Sequence, residues 1–525
     1  PKGSEFALDG MQPADRYMEG AFAFVRVPAR YSANAIPLDR STPFVLRATY
    51  DRDLPAGEHQ FRLRARGAAL FLVNGKEIAR TKPQKPNTSG DDPVPPPPAR
   101  DESGRRPAPY PHQDEVATLR LDAGRHTFTL IAVIGGKGLM PTPGELAVAI
   151  GKPGAVERLL GPDSAPRLTD AEWEAHVAAS FDRHAQADRE RRRAAGADQV
   201  ARWKERHAQV REWLAARPAP AVPAASPALP VHNDIDRFLG AKLDAGNVKP
   251  TPLTTDLEFL RRLSLDTTGL IPTTAEIRAF LADPPARRRA LAIERLLNDP
   301  GWADHWVSYW QDVLAENPGI LKPDLNNTGP FRWWLHQAFS DGLPFDRLVT
   351  ELVEMEGSQT QGAPAAFAQA TLNDAPMAAK ADIIGQAFLG QKLGCARCHD
   401  APFHPFKQKD LFSLAAMLNG KAMKLPATST VPLVEGARKP AVNVALKPGE
   451  AIQPDWPFKD LLDHAADPAY GKLPVTGSVA TRGQLAERIV SPENERFGQV
   501  VVNRIWARYM GAGLVEPVDD WARAR

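Results

Sequence analysis

The sequence predicts a multidomain protein with an N-terminal all-β sandwich, a charged helical connector, and a mostly α-helical domain with a small β-containing insertion. Three observations lead to this fold class. The chain has 525 residues, which is more than one ordinary hydrophobic core holds. Apolar and polar residues alternate within residues 17–155, as in half-buried strands. Within residues 232–424, apolar residues recur instead at helical spacing.

Composition shifts along the chain set the expected boundaries. Gly3-Ser4-Glu5-Phe6 is typical of a translated cloning site, and we expect the last segment to be interrupted at Arg525. The expected segments are a tail at 1–16, the sandwich at 17–155, a helical connector with a Pro-rich linker at 156–231, the helical domain at 232–424, a Pro-rich β-containing segment at 425–480 and the final segment at 481–525.

Composition and charge exclude some classes of protein. The hydrophobic and charged fractions, 43% and 24%, are typical of globular proteins. A formal net charge of +2 gives no global reason to expect nucleic-acid binding. No apolar run approaches the roughly 20 residues of a membrane span, so no transmembrane segment is predicted.

The sandwich is predicted from short alternating strands. His59-Gln-Phe-Arg-Leu-Arg-Ala and His126-Thr-Phe-Thr-Leu-Ile-Ala-Val are two of them. Asn74-Gly75 predicts a two-residue hairpin turn, because both positions of such a turn need a positive φ. Residues 81–113 form a polar, Pro-rich insertion that is longer than a simple connection requires.

These strand and turn sequences resemble the protective-antigen-type sandwich. The resemblance is carried by Leu54-Pro-Ala-Gly-Glu-His, Leu70-Phe-Leu-Val-Asn-Gly-Lys and Leu121-Asp-Ala-Gly-Arg-His. It implies a module that is often carbohydrate-binding, so a glycan is an expected partner. Asp91-Asp92 is similar to the paired aspartates with which some sugar-binding relatives hold calcium, although adjacent acids in a Pro-rich loop are also ordinarily solvated.

Helices are predicted from residue 170 onward. Residues 170–216 are heavily charged, and because acids interrupt the arginine run, we interpret that run as a solvated helix face. Thr273-Thr-Ala-Glu276 is a capping box at the start of a helix. Ala441-Val-Asn-Val-Ala-Leu has a β-like pattern. Further helices are predicted at 286–297, 304–316, 331–339, 346–355, 378–393, 410–417 and 497–510.

The motif that carries chemistry is Cys395-Ala-Arg-Cys398-His399, which contains both cysteines of the chain. Two thiols at this spacing add to the two vinyl groups of a haem, and the following imidazole ligates the iron. The sequence therefore predicts one covalently attached haem c. Cys395 and Cys398 would be the thioether anchors, and His399 the proximal ligand.

Three other interpretations of the motif compete. A redox-active pair of the thioredoxin kind would be expected after a strand, whereas a helix is predicted before this motif. A zinc site would need four ligands, to which His404 or Asp400 could contribute, but no second cysteine pair exists. A simple thiol pair or structural disulfide would not need His399. Phe403, Phe406 and Phe412 follow the motif closely, and we expect them to line a haem crevice.

The second axial ligand is less well defined by the sequence. Met417 lies on the next predicted helix and could reach the iron, as could His404. Iron without a second protein ligand would permit small-molecule chemistry. Other candidates are Met423, Met377, His305, His336 and His464.

The helical region resembles the planctomycete cytochrome-like (PSCyt) domains of unknown function. The resemblance is carried by Leu260-Arg-Arg-Leu-Ser-Leu-Asp-Thr-Thr-Gly, Phe388-Leu-Gly-Gln-Lys-Leu-Gly-Cys-Ala-Arg-Cys-His-Asp and Gln408-Lys-Asp-Leu-Phe-Ser-Leu. Val502-Asn-Arg-Ile-Trp-Ala-Arg-Tyr is similar to the opening of that family's usual C-terminal partner domain. The resemblance implies a large exported cytochrome-like protein.

One departure limits what the resemblance transfers. The family commonly has a second histidine two residues after the motif, where this chain has Ala401, and an aspartate where this chain has His404. The ligand role of that second histidine therefore cannot be carried over. His404 or Met417 would have to take its place.

These observations predict an exported electron-transfer protein, periplasmic or on the cell surface, that exchanges single electrons with an unidentified redox partner protein. Two alternatives stay open. One is a carbohydrate-binding surface or scaffold protein with a structural cysteine pair. The other is a haem enzyme with an open iron.

Overall fold

The computed structural model divides the chain into two compact units, residues 1–196 and 197–525. The division falls within the segment predicted as a connector. The structure describes residues 10–83, 96, 104–137, 139–314, 329–369, 375–429, 442–462 and 481–523.

Two antiparallel sheets form most of the first unit, as the alternating pattern predicted. One sheet has the strand order β1-β10-β5-β8 with β11 beside β10, and the other has the order β4-β9-β6-β7. The strands are β1 (Ala23–Phe24), β2 (Arg30–Tyr31), β3 (Pro37–Leu38), β4 (Phe44–Leu54), β5 (Gly57–Ala65), β6 (Ala68–Val73), β7 (Lys76–Thr81), β8 (Gln113–Leu121), β9 (Gly124–Ile134), β10 (Leu146–Gly151) and β11 (Arg158–Leu159).

Three phenylalanines from β5, β6 and β9 form the centre of the sandwich core. The side chains of Phe61, Phe71 and Phe128 are fully buried, with ring centroids 5.7–6.2 Å apart. Asn74 and Gly75 join β6 to β7 with φ angles of 51° and 78°, which confirms the predicted hairpin turn. The paired aspartates Asp91 and Asp92 lie outside the described residues.

Helices dominate the rest of the chain, as predicted. Together with α1 of the first unit they are α1 (Asp170–Ala195), α2 (Ala197–Ala215), α3 (Asp234–Ala245), α4 (Asp256–Thr268), α5 (Thr274–Ala282), α6 (Arg288–Leu297), α7 (Pro300–Leu314), α8 (Gly329–Ser340), α9 (Phe345–Glu354), α10 (Pro376–Ile384), α11 (Gln408–Asn419), α12 (Thr481–Val490) and α13 (Glu495–Met510). Within the described residues, none of these helices is both long enough and apolar enough to cross a membrane.

The core of the helical unit surrounds α11, whose residues from Leu411 to Leu418 are all buried. Trp306 and Trp310 of α7 join the same core. A short two-stranded sheet, β12 (Met423–Lys424) with β13 (Ala451–Ile452), packs against α11. The prediction of a β-like run at 441–446 was wrong, since its described residues are irregular. The chain there hydrogen-bonds to side chains of α11 and of the loop before it rather than to a strand.

Candidate functional site

The cysteine motif lies just beyond a broken helix. Helix α10 continues as a π-helical turn, Gly385–Leu389, and ends at Gly390, whose φ is 63°. The predicted extension of this helix to Leu393 was therefore wrong. A left-handed residue ends the regular hydrogen-bonding pattern, and glycine adopts that conformation without steric cost.

A short 3₁₀ turn, Gly394–Arg397, carries the first cysteine. The backbone N–H of Leu393 donates to the Asp382 carboxylate at 2.7 Å and so anchors the start of the turn to α10. Within this turn the Ala396 side chain is buried. The Cys395 side chain is exposed and the Cys398 side chain half-buried, and the two thiols are not joined in a disulfide.

His399 has a defined ring orientation. Its Nδ1 lies 2.8 Å from the carbonyl oxygen of Asp400. A carbonyl can only accept a hydrogen bond, so Nδ1 carries the proton and Nε2 keeps its lone pair. Nε2 has no hydrogen-bond partner among the described residues. This tautomer leaves Nε2 free to bind a metal.

The side chain of Asp400 fixes the loop after the motif. One carboxylate oxygen accepts from the backbone N–H of Gln408 at 2.9 Å, and the other accepts from the Asn443 amide at 2.6 Å. Gln408 is fully buried and in turn donates to the Ser429 carbonyl (2.7 Å) and accepts from the Leu446 N–H (3.1 Å). Sequence reasoning missed Gln408 and Asn443. The signal available for Gln408 was a polar side chain at the start of an otherwise apolar helix.

His404 is paired with a residue far along the chain. Its Nε2 lies 2.8 Å from a carboxylate oxygen of Asp520, and the two side chains are 6% and 5% exposed. The His404 Nδ1 and the second Asp520 oxygen are buried and have no hydrogen-bond partner in the described part of the chain. The structure therefore leaves one nitrogen of His404 bare while a carboxylate orients the ring.

The other candidate ligands have different surroundings. Met417 is 4% exposed and belongs to the hydrophobic core. The Nε2 of His305 accepts a hydrogen bond from Arg508 at 2.7 Å, and His336 lies 3.7 Å from Asp304. Met377 and Met423 pack half-buried against the core. His464 lies outside the described residues.

Of the three phenylalanines after the motif, Phe406 and Phe412 are buried in the core of the helical unit, so the expectation that all three line one crevice was wrong for Phe403. Phe412 is fully buried in the core of the unit. Phe406 stacks on the His404 ring with 6.3 Å between the centroids. Phe403 is 78% exposed. Helix α11 starts at Gln408 and places Phe412 in the same buried core as Phe406.

No group of three or more His, Cys, Asp or Glu side chains in the described part of the chain is arranged to hold a metal ion. Zinc, which requires four such ligands in a structural site, thus finds no ready ligand set among those residues. A haem makes a different demand, namely two thioether anchors and an axial imidazole.

Two segments of the chain match known protein families. Residues 234–422 match PSCyt2, described as a protein of unknown function (DUF1549), and residues 481–525 match PSD1, described as a protein of unknown function (DUF1553). These matches confirm the PSCyt resemblance and the opening of the partner domain. The cysteine motif lies in the first segment and Asp520 in the second. No curated protein and no solved structure matches the chain.

Proposed function

We propose that the PSCyt2 segment binds one haem c covalently and that the protein is an exported electron carrier, in the periplasm or at the cell surface. Cys395 and Cys398 would anchor the porphyrin, and His399 would ligate the iron. These residues would hold a haem whose iron, with its ferrous and ferric states, would supply one-electron transfer chemistry.

The observation that carries the proposal is the hydrogen bond from His399 Nδ1 to the Asp400 carbonyl. Metal-ligating histidines usually donate their second ring nitrogen to a carbonyl or carboxylate, which fixes the ring and raises its basicity. The two free thiols beside this imidazole, one of them exposed, also suit covalent attachment. The residues present therefore fit a haem better than a disulfide, which would not need His399.

As a further side chain that would hold the haem iron, we propose His404 rather than Met417. A carboxylate holds one nitrogen of His404 while the other is bare, which is the arrangement of a ligating histidine. Met417 fills the core of the unit, the usual role of a buried methionine. For the sandwich we propose docking to a glycan or to a partner protein, which follows from the resemblance of its strands and turns.

Absorption spectra test the proposal directly. The chain would be exported in a host with the c-type haem attachment machinery, beside a Cys398→Ser variant. We expect a Soret band and a sharp α band for the wild type, and loss of covalently retained haem for Cys398→Ser. A colourless wild-type protein with two free thiols would contradict the proposal and favour a scaffold protein.

A further inference from the structure

The PSD1 segment contacts the chain on both sides of the cysteine motif. Before the motif, Arg504 of α13 donates from Nε to the Ala387 carbonyl (2.9 Å) and from an Nη to the Gln386 carbonyl (2.8 Å). Arg504 is 6% exposed. The last carbonyls of a helix lack partners within the helix, so Arg504 satisfies two acceptors in the π-helical turn that precedes the motif.

Trp521 contacts the residue at which that turn ends. Its backbone N–H donates to the Gly390 carbonyl at 2.8 Å. A Cβ atom on Gly390 would lie 2.8 Å from the indole ring of Trp521, so glycine is needed there for close approach as well as for φ. The indole is itself held by the guanidinium of Arg496, 4.9 Å from its ring centroid.

After the motif, the contact is made by Asp520. It is adjacent to Trp521 and forms the buried pair with His404 described above. Asn503 fixes the backbone that leads to Asp520, because its side chain forms two hydrogen bonds with the backbone of Val515, at 2.8 and 3.0 Å. Residues adjacent on α13 thus hold the π-helical turn and the returning chain.

We infer that Arg504, Asp520 and Trp521 form a clamp that holds both ends of residues 390–404 and thereby preorganises the motif. Asp520 is a positioning residue that acts through His404. The segment that matches PSD1 is then part of the site formed by the PSCyt2 segment. The clamp is inferred from the contacts above, and the inference that it aids haem attachment rests on the proposed function.

Alkylation of the cysteines in the full chain without haem tests the clamp. The rate constants for iodoacetamide at Cys395 and Cys398 would be measured by peptide mass spectrometry under native conditions. Half-buried Cys398 reports opening of the loop, and exposed Cys395 reports local reactivity. The variants are Asp520→Ala, the milder Asp520→Asn, and Trp521→Ala. Asp519→Ala is the matched control, because Asp519 makes a partly exposed 3.8 Å contact with Lys392.

Loss of a buried charge-assisted hydrogen bond predicts about a ten-fold or larger increase in Cys398 alkylation for Asp520→Ala. We expect a smaller increase for Asp520→Asn and less than about a two-fold change for Asp519→Ala. Because Asp520 acts through His404, His404→Ala combined with Asp520→Ala should react no faster than Asp520→Ala alone. Equal Cys398 rates in wild type, Asp520→Asn and Trp521→Ala would overturn the clamp.

A second readout separates the clamp from the proposed function. In haem-loaded protein, Asp520→Asn should shift the midpoint potential while Asp519→Ala leaves it unchanged. An unshifted potential in Asp520→Asn would contradict positioning through His404. If the wild type takes up no haem, the proposed function fails, and the alkylation rates still decide whether the clamp exists.

Discussion

The carboxylate of Asp382 accepts a hydrogen bond from the backbone N–H of Leu393, at 2.7 Å, and so joins helix α10 to the turn that carries Cys395. Asp382→Ala removes this acceptor and leaves a part-buried N–H unpaired, which costs about 1–3 kcal/mol locally. We expect faster hydrogen exchange of the Leu393 amide, whereas Asp382→Asn, which keeps an acceptor oxygen, should exchange at an intermediate rate. An unchanged rate in Asp382→Ala would show that the turn is anchored elsewhere.

Gly390 and Gly498 form a matched pair of glycines for substitution. Gly390→Ala meets a positive φ and the Trp521 ring, and we expect it to lower the free energy of unfolding by more than about 1 kcal/mol. Gly498 lies inside α13, where an added Cβ meets nothing within 4 Å, so Gly498→Ala should stabilise by roughly 0.5–1 kcal/mol. Urea unfolding of the helical unit measures both. A Gly390→Ala variant as stable as wild type would contradict the described turn.

Gln408 joins the motif loop to residues 429 and 446. Gln408→Leu keeps the side-chain volume but leaves the Ser429 carbonyl and the Leu446 N–H without this partner. We expect destabilisation of the helical unit by roughly 2–4 kcal/mol, since each buried orphan costs about 1–3 kcal/mol. Gln337→Leu on α8 is the control, because that half-buried amide makes no side-chain hydrogen bond to any residue that the structure describes. Equal unfolding midpoints for the two variants would refute the structural role of Gln408.

His176 predicts a pH dependence in the first unit. Burial lowers the pKa of His176, which lies on α1, although a hydrogen bond with the backbone of Ala23 opposes the shift. The unfolded state therefore binds more protons than the folded state once the pH falls below about 6.5, the ordinary pKa. The contribution of His176 to the free energy of unfolding is fully present above that pH, and it is lost as the pH falls toward the lowered pKa of the folded state.

We accordingly expect the stability difference between wild type and His176→Gln to shrink from pH 7.5 to pH 5. Urea unfolding, monitored by hydrogen exchange of the peptide that contains β10, measures this difference. His59→Gln is the control for a general effect of histidine removal. A difference that is independent of pH would mean that His176 titrates alike in the folded and unfolded states.

Much of the fold followed from local sequence patterns. Alternation located the long strands, and Asn74-Gly75 predicted its hairpin. In the predicted capping box the Thr273 N–H donates to Glu276 at 2.6 Å, while the Glu276 N–H donates back to the Thr273 hydroxyl. Each of these patterns depends on neighbours only a few residues apart, which is why a single sequence was sufficient.

The features that the sequence could not predict depend on distant partners. His404 and Asp520 are 116 residues apart, so nothing near His404 indicates which carboxylate orients it. The helical pattern of apolar residues continues past Gly390 to Leu393, and the end of the helix reflects a conformation that Trp521 and Arg504 stabilise from another segment. The motif itself was visible because its chemistry requires adjacent residues.

The mass of the purified chain tests the central claim most directly. After export in a host with the haem attachment machinery, the account predicts a denaturation-resistant increase of about 616 Da, with neither thiol available to alkylation. The increase should be absent from a Cys395→Ser, Cys398→Ser double variant. A wild-type chain of unmodified mass, with both thiols free or joined to each other, would contradict it.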